Sequence, residues 1–370
     1  MKIRVPKHDL LDALNKVKTV ISSKTVLPIL SHVLIETLES GIRITSTDLK
    51  VSIECEVPCE VQEAGSLTLA SHRLATVVSE FPEGDIVLSL GENRVVEVIC
   101  GRIQTKLFSM SPNEFPPIRR FEGIEPIVLP QGVLKNIFTK TSFAICTDQA
   151  RYNLTGLLFE LLEDKLIGVA TDGKRMSLFI QFEKGIELGS PRKVIIPGKM
   201  ITELERLLGD DGDISVFIDE SQAGFSFDCV RLISALIEGS FPNYEVVIPK
   251  KHDKEVILQH RVFSEAIRRT RTMTSDKFNS VRFSITPGKM TLLVVTPDVG
   301  EYEEEIAVEY EGEKIEIAFN PDFIWDVLRR IETERLCLVL KDSTSPGIIK
   351  PVRDKTLDEN YINVIMPIRI

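Results

Sequence analysis

The chain has one tryptophan and five histidines in 370 residues, and aromatic residues of all kinds make up 6%. It has no uncharged apolar run of about 18 residues, so no transmembrane helix is expected. The opening Met1-Lys2-Ile3-Arg4-Val5-Pro6 lacks an apolar signal-peptide core, which points to a cytoplasmic protein with no membrane partner. Six cysteines stand at 55, 59, 100, 146, 229 and 337. Only Cys55 and Cys59 are neighbours in sequence, and no second pair completes a zinc site, so reduced structural thiols are expected. His8, His32, His72, His252 and His260 have no metal-ligand spacing. Phosphate loop, nucleophile elbow and His-Glu-x-x-His motifs are all missing. The turn-like segment Gly209-Asp210-Asp211-Gly212-Asp213 lacks the distal glutamate of a calcium loop. No catalytic residue, metal or cofactor is therefore assigned. The net charge of −10 argues against a simple nucleic-acid binder.

What the chain does have is a threefold internal repeat. Ile3-Arg4-Val5-Pro6 leads into Leu10 and Leu14. Ile127-Val128-Leu129-Pro130 leads into Leu134 and Phe138, and Val256-Ile257-Leu258-Gln259 into Phe263 and Ile267. A second set follows in the same order. Leu67-Thr68-Leu69-Ala70 precedes Leu74 and Val77-Val78, and Val194-Ile195-Ile196-Pro197 precedes Ile201, Leu204 and Leu207-Leu208. Ile315-Glu316-Ile317-Ala318 precedes Phe323-Ile324 and Val327-Leu328. Each is a strand signal followed by apolar residues at helical spacing. A Thr/Asp corner recurs at Thr47-Asp48, Thr171-Asp172 and Thr296-Pro297-Asp298. That recurrence makes Asp172 a turn former bonded to local backbone.

Between the helices, segments such as Ile42–Thr45, Val51–Glu54, Ile86–Leu90, Val95–Ile99, Ile214–Ile218 and Leu336–Leu340 read as strands. The expected fold is α+β, with three tandem units of two helices packed on antiparallel sheet. Polar linkers near 121–126 and 249–254 bound domains at 1–125, 126–251 and 252–370, each large enough for its own core. The helix windows 7–20, 71–80, 131–143, 198–207, 261–273 and 321–331 hold more Lys and Arg than Asp and Glu, leaving the remainder acidic. That fits six helices sharing one basic surface inside an acidic shell. A sheet-rich enzyme with no linear motif, and a module gripping DNA directly, remain alternatives on these grounds.

Particular segments carry a family resemblance: Leu27-Pro28-Ile29-Leu30, Arg151-Tyr152 with Gly156 and Phe159-Glu160, and Val169-Ala170-Thr171-Asp172-Gly173. Phe241-Pro242-Asn243-Tyr244, Asp276-Lys277-Phe278 with Val281-Arg282, and Met366-Pro367-Ile368-Arg369-Ile370 complete the set. In this order, on a triplicate layout, they make the chain resemble bacterial DNA polymerase III beta subunits, the sliding clamps, over essentially its full length. The resemblance implies a non-catalytic processivity factor without cofactors. Two copies, each of three clamp-type domains, would close head to tail into a homodimeric ring encircling double-stranded DNA without reading its sequence. A clamp-loader complex would open the ring. The DNA polymerase III catalytic subunit, other polymerases and repair proteins would tether to it through short clamp-binding peptides.

The resemblance also places site residues. The peptide pocket would use Leu154, Thr171, Gly173, Lys174, Arg175, Met176, Pro242, Val246, Val247, Val364, Met366, Pro367, Ile368 and Arg369. Arg175 or Arg369 would bond a partner's backbone or polar anchor. Lys174 stands where histidine is familiar in the family, and Val246 where arginine is, so the rim is expected to be less basic and more apolar. DNA contacts fall on Lys24, His72, Arg73 and Gln149. The dimer contact falls on Thr105 and Leu107 against Thr272 and Met273. Large apolar residues are familiar at the sites of Thr105 and Thr272, so a more polar interface is expected here.

Overall fold

The computed structural model describes every residue except 22–26, 122, 187–189, 249–253, 276, 298 and 370. The chain divides into two compact units, Met1–Gly132 with Thr202–Leu236, and Val133–Ile201 with Ile237–Ile370. Among the described residues there are six α-helices: α1 (Lys7–Val17), α2 (Ser71–Glu80), α3 (Gln131–Thr141), α4 (Gly198–Leu207), α5 (His260–Arg271) and α6 (Pro321–Leu328). Each runs out of a strand, as the repeat requires. The register positions Val5, Leu129 and Leu258, then Leu10, Leu134 and Phe263, then Leu14, Phe138 and Ile267, are all buried. Burial of one such side chain stabilises the fold by about 1.5–3 kcal/mol, so these positions anchor helix to sheet.

The first unit holds two antiparallel sheets. One runs Glu60–Glu63, Lys2–Pro6, Asp85–Leu90, Val95–Cys100, Ile103–Phe108. The other runs Ile127–Pro130, Asp213–Ile218, Gln222–Phe227, Val230–Ala235, Val51–Pro58, Gly41–Thr47, His32–Leu38, Ser66–Ala70. The second unit also holds two. The longer runs Arg192–Pro197, Gly156–Leu161, Lys165–Thr171, Arg175–Phe182, Tyr361–Ile365, Gly347–Arg353, Arg335–Leu340, Lys254–Gln259, with Thr356–Leu357 added to Gly347–Arg353. The shorter runs Gly300–Ala307, Lys289–Thr296, Val281–Thr286, Ile315–Phe319.

Each long sheet is continuous where strands from successive repeats meet. In the first unit Cys55 lies opposite Val230; in the second Phe179 lies opposite Tyr361. The flanking backbone bonds correspond. Glu56 N donates to Cys229 O at 2.9 Å and Ala235 N to Lys50 O at 3.2 Å. Ile180 N donates to Asn360 O at 2.8 Å and Met366 N to Lys174 O at 2.9 Å. Among the described residues, the third counterpart, Gly300–Ala307, pairs on one side only, with Lys289–Thr296.

A second threefold device ties each helix pair together. The backbone N–H of the first residue of α1, α3 and α5 donates to a carbonyl beyond the following helix: Lys7 to Gly84, Gln131 to Gly212, and His260 to Glu334. The three side chains then grip the end of that helix. Lys7 Nζ donates to Phe81 O at 2.6 Å, Gln131 Oε1 accepts from Gly209 N at 2.9 Å, and His260 Nε2 donates to Leu328 O at 2.9 Å. Helix ends leave unsatisfied backbone groups, and these contacts satisfy some of them.

The uniform basic helix surface needs correction. Lys140 of α3 is buried, with its ammonium 4.5 Å from the centre of the Phe179 ring. Burial pushes its pKa down. Arg269 and Arg271 of α5 are paired with Glu304 and Asp322. Exposed cations on these helices include Arg73 and Arg268. All six cysteines are free thiols, four of them buried.

Candidate functional site

The expected pocket residues all belong to the second unit. The hairpin between Lys165–Thr171 and Arg175–Phe182 starts from chemistry local to its turn. Asp172 Oδ1 accepts from Lys174 N at 2.8 Å and Arg175 N at 2.9 Å, while Thr171 Oγ1 donates to Arg175 O at 2.7 Å. Asp172 is thus the turn former that the recurring corner indicated. Gly173 sits at φ 81°, where a side chain is strained, and a Cβ there would lie 2.9 Å from Arg151 Nη1. Arg151 Nη1 also donates to Asp172 O at 2.5 Å.

Arg175 is not a free anchor. Its Nε donates to Asp172 Oδ2 at 3.1 Å, its Nη1 to Asp326 Oδ2 at 2.6 Å, and its Nη2 to Phe143 O at 2.8 Å. The guanidinium carbon lies 4.5 Å from the centre of the Phe323 ring. With its N–H edges bonded and an aromatic ring against it, Arg175 holds the turn in place rather than reaching outward.

Arg175 and Met176 pair with Ile365 and Val364 across the sheet. Beyond that pair the chain leaves the ladder but stays fixed, because Met366 N donates to Lys174 O and Ile368 N to Ala318 O at 2.8 Å. Leu154, Met176 and Val364 are buried in one apolar cluster with Phe241, and Tyr244 and Ile248 pack against it. Val246 is 74% exposed, and Val247, Met366 and Ile368 are also exposed. Leu154, Met176 and Val364 thus belong to apolar core, while Val246, Val247, Met366 and Ile368 turn aliphatic and thioether side chains to solvent. Such a surface takes apolar side chains of a partner, and Met adapts its shape to them.

The segment carrying Pro242 and Val246 is fixed from both sides. Asn153 Nδ2 donates to Ser240 O at 3.1 Å, and Asn243 Oδ1 accepts from Glu245 N at 3.1 Å. Burial pushes the Tyr244 phenol up to about 12. Thr171 and Pro367 are half-buried; Gly173, Lys174, Pro242 and Arg369 are exposed. Sequence reasoning did not assign Arg151, Asp326 or Phe323 to this region. Arg151 stands in a segment that carried the resemblance, whereas α6 gave no linear signal for Asp326.

The remaining expected sites lie elsewhere. Lys24 is outside the described residues. His72 and Arg73 are exposed in the first turn of α2, and Gln149 is exposed at the start of the short 3-10 helix Gln149–Leu154. Thr105 and Leu107 are half-buried on Ile103–Phe108, a strand at the edge of its sheet. Thr272 is exposed just after α5, and Met273 O accepts from Thr296 Oγ1 at 2.6 Å. No cluster of three metal-ligating side chains occurs among the described residues, and none of their helices is long and apolar enough to cross a membrane.

Comparison with known proteins gives one answer across the chain. Residues 1–119, 128–243 and 245–369 match the sequence profiles of the N-terminal, central and C-terminal domains of the DNA polymerase III beta subunit. The chain is 32% identical to a beta sliding clamp of Chlamydia pneumoniae over 370 residues, covering all of this chain and 99% of the other. It is 32% identical to one of Pseudomonas putida, with both chains fully covered. The crystal structure of the DNA polymerase III beta subunit from Pseudomonas aeruginosa superposes with a TM-score of 0.93 at 30% identity, covering both chains in full. The Bacillus subtilis clamp gives 0.95 at 26% identity, covering all of this chain and 99% of that one. A Pseudomonas aeruginosa clamp bound to griselimycin gives 0.93 at 30% identity, again with full coverage.

Proposed function

The chain belongs to the DNA polymerase III beta-subunit family and is a sliding clamp of that type, and from this premise we propose that it works as a closed homodimeric ring around duplex DNA. Its three clamp domains are 1–125, 126–251 and 252–370. The observation that carries the ring is the strand pairing. Val230–Ala235 and Tyr361–Ile365 each pair with a hairpin strand of the preceding repeat. The corresponding strand of the first repeat, Ile103–Phe108, and the corresponding hairpin strand of the third, Gly300–Ala307, both stand at sheet edges. The same pairing between two copies uses up both edges, and a head-to-tail contact that closes makes a ring. Phe108, 82% exposed, and Ile103 on this edge supply apolar area for the contact. Thr105, Leu107, Thr272 and Met273 belong to it.

DNA in such a ring meets His72, Arg73, Gln149 and Lys24 through its phosphates, without base readout. The protein catalyses no reaction and acts in the cytoplasm. Processivity comes from topology, since a closed ring stays on DNA without binding it tightly. The apolar side chains around Met176, Val364 and Met366 take short peptides from the polymerase III catalytic subunit, from other polymerases and repair proteins, and from the clamp loader that opens the ring. With Val246 and Lys174 on the rim, peptides of more apolar character are preferred.

The test is retention on DNA. Loaded protein is expected to stay on closed circles and to be lost when the circle is cut; retention on both forms would mean direct binding instead. Light scattering should give twice the 41.6 kDa chain mass. Changing Lys24 and Arg73 together to Ala should weaken loading and flatten its salt dependence.

A further inference from the structure

The strand junction of the first unit holds a pair of thiols far apart in sequence. Cys55 lies on Val51–Pro58 and Cys229 in the turn before Val230–Ala235. Their sulfurs are 3.5 Å apart. Lys16 Nζ of α1 lies 3.7 Å from Cys229 Sγ and pairs with Asp12 at 2.7 Å. Cys55 is buried, whereas Cys229 is partly open to solvent beside the exposed Asp228. The corresponding positions at the second junction are Phe179 and Asn360. The general sheet geometry therefore does not demand two cysteines.

We infer that Cys55 and Cys229 form a peroxide-responsive dithiol, which closes into a disulfide across this junction. A disulfide bond is about 2.05 Å long, so the sulfurs need to approach by about 1.5 Å. Cys229 stands in a turn, where side-chain rotation can supply that movement. Burial pushes the Cys55 thiol up to about 12, which leaves the accessible Cys229 as the sulfur that meets the oxidant.

In the first step the Cys229 sulfur, having given up its proton to water, attacks one oxygen of hydrogen peroxide. The O–O bond breaks, hydroxide leaves and takes up a proton, and Cys229 becomes a sulfenic acid. In the second step the Cys55 sulfur attacks Cys229 Sγ. The S–S bond forms as the S–O bond breaks, and the hydroxyl departs with the Cys55 proton as water. Two thiols lose two hydrogens, and the peroxide is reduced to two waters. The Lys16 ammonium lies where negative charge develops on Cys229 in the first step. The inference does not rest on the clamp reading.

The full chain is treated with hydrogen peroxide, alkylated and peptide-mapped without reductant. A single intramolecular Cys55–Cys229 link is expected, with the other four cysteines alkylated and the link reversed by dithiothreitol. Amide hydrogen exchange across Val230–Ala235 should slow in the linked form. Cys229→Ser should abolish the link, and Cys55→Ala should leave Cys229 as a sulfenic acid trapped by dimedone. Lys16→Met should slow linkage roughly three- to tenfold; an unchanged rate overturns the part given to Lys16. Sulfinic acid at Cys229 without a link in the unaltered chain, a link from Cys229 to Cys59, or no reaction at either sulfur overturns the dithiol.

Discussion

At the first strand junction Leu49 occupies the turn at φ 77°, and Lys16 faces the sulfur of Cys229; at the second, Gly173 occupies the turn at φ 81° and Lys140 lies over Phe179. The backbone is the same at both. Asp48 Oδ1 accepts from Lys50 N and Val51 N, just as Asp172 accepts from Lys174 N and Arg175 N. What differs is the surroundings. Val51 is buried apolar bulk, whereas Arg175 gathers Asp172, Asp326 and Phe143 O. The shared bonds build the fold; the second junction becomes a candidate binding surface through the side chains added around it.

The largest expected difference lies in the tail. Deleting residues 366–370 should lower partner-peptide affinity at least 100-fold, about 2.7 kcal/mol, while leaving the melting transition cooperative. Fluorescence anisotropy with a labelled clamp-binding peptide measures this, and unchanged affinity would sink the pocket assignment. Next comes Arg175→Ala, which leaves Asp172 without its cation and takes one of two from Asp326, still paired with Arg329 at 3.1 Å. It should cost about 1.5–3 kcal/mol in chemical denaturation and weaken peptide binding about tenfold. Val51→Ala at the first junction should cost a comparable amount, about 1–3 kcal/mol, with peptide affinity untouched. If both variants weaken the peptide equally, the contrast between junctions fails.

Smaller effects sharpen the same contrast. Asp48→Ala and Asp172→Ala each remove two turn bonds, at about 1 kcal/mol, and Asp172→Ala removes the Arg175 contact as well, so only Asp172→Ala should also lower peptide affinity. Smallest is the turn residue itself. Leu49→Gly relieves a left-handed conformation and should stabilise by less than about 1 kcal/mol, whereas Gly173→Ala should cost about 1 kcal/mol. Equilibrium urea melts compare the two; a shift of the same sign in both would contradict the account of the turns.

Much of the fold was legible because apolar residues repeat at strand and helix spacing, and Leu10, Leu134 and Phe263 could be aligned on that alone. Strands such as Gly41–Thr47 and Val95–Cys100 contain the segments their alternation indicated. Lys140 was misread because a charged residue counts as surface in any tally of composition, although it shares the buried side of α3 with Ile137 and Thr141. The apolar residues of the candidate site came through resemblance, since nothing local separates Leu154 or Val364 from ordinary core. The Arg175–Asp326 contact and the approach of Cys229 to Cys55 join residues far apart in the chain, and no spacing rule reaches that far.

Lys7, Gln131 and His260 perform one task with an ammonium, an amide and an imidazole. At this position the requirement is a polar atom of adequate reach, and the identity of the side chain is left open. Comparing the three copies letter by letter finds no agreement there, whereas comparing reach finds all three bonded to backbone at the end of the following helix, two by donating and one by accepting. Copies of a fold can thus drift apart in spelling while a shared grammar of donors and acceptors continues to hold them in the same shape.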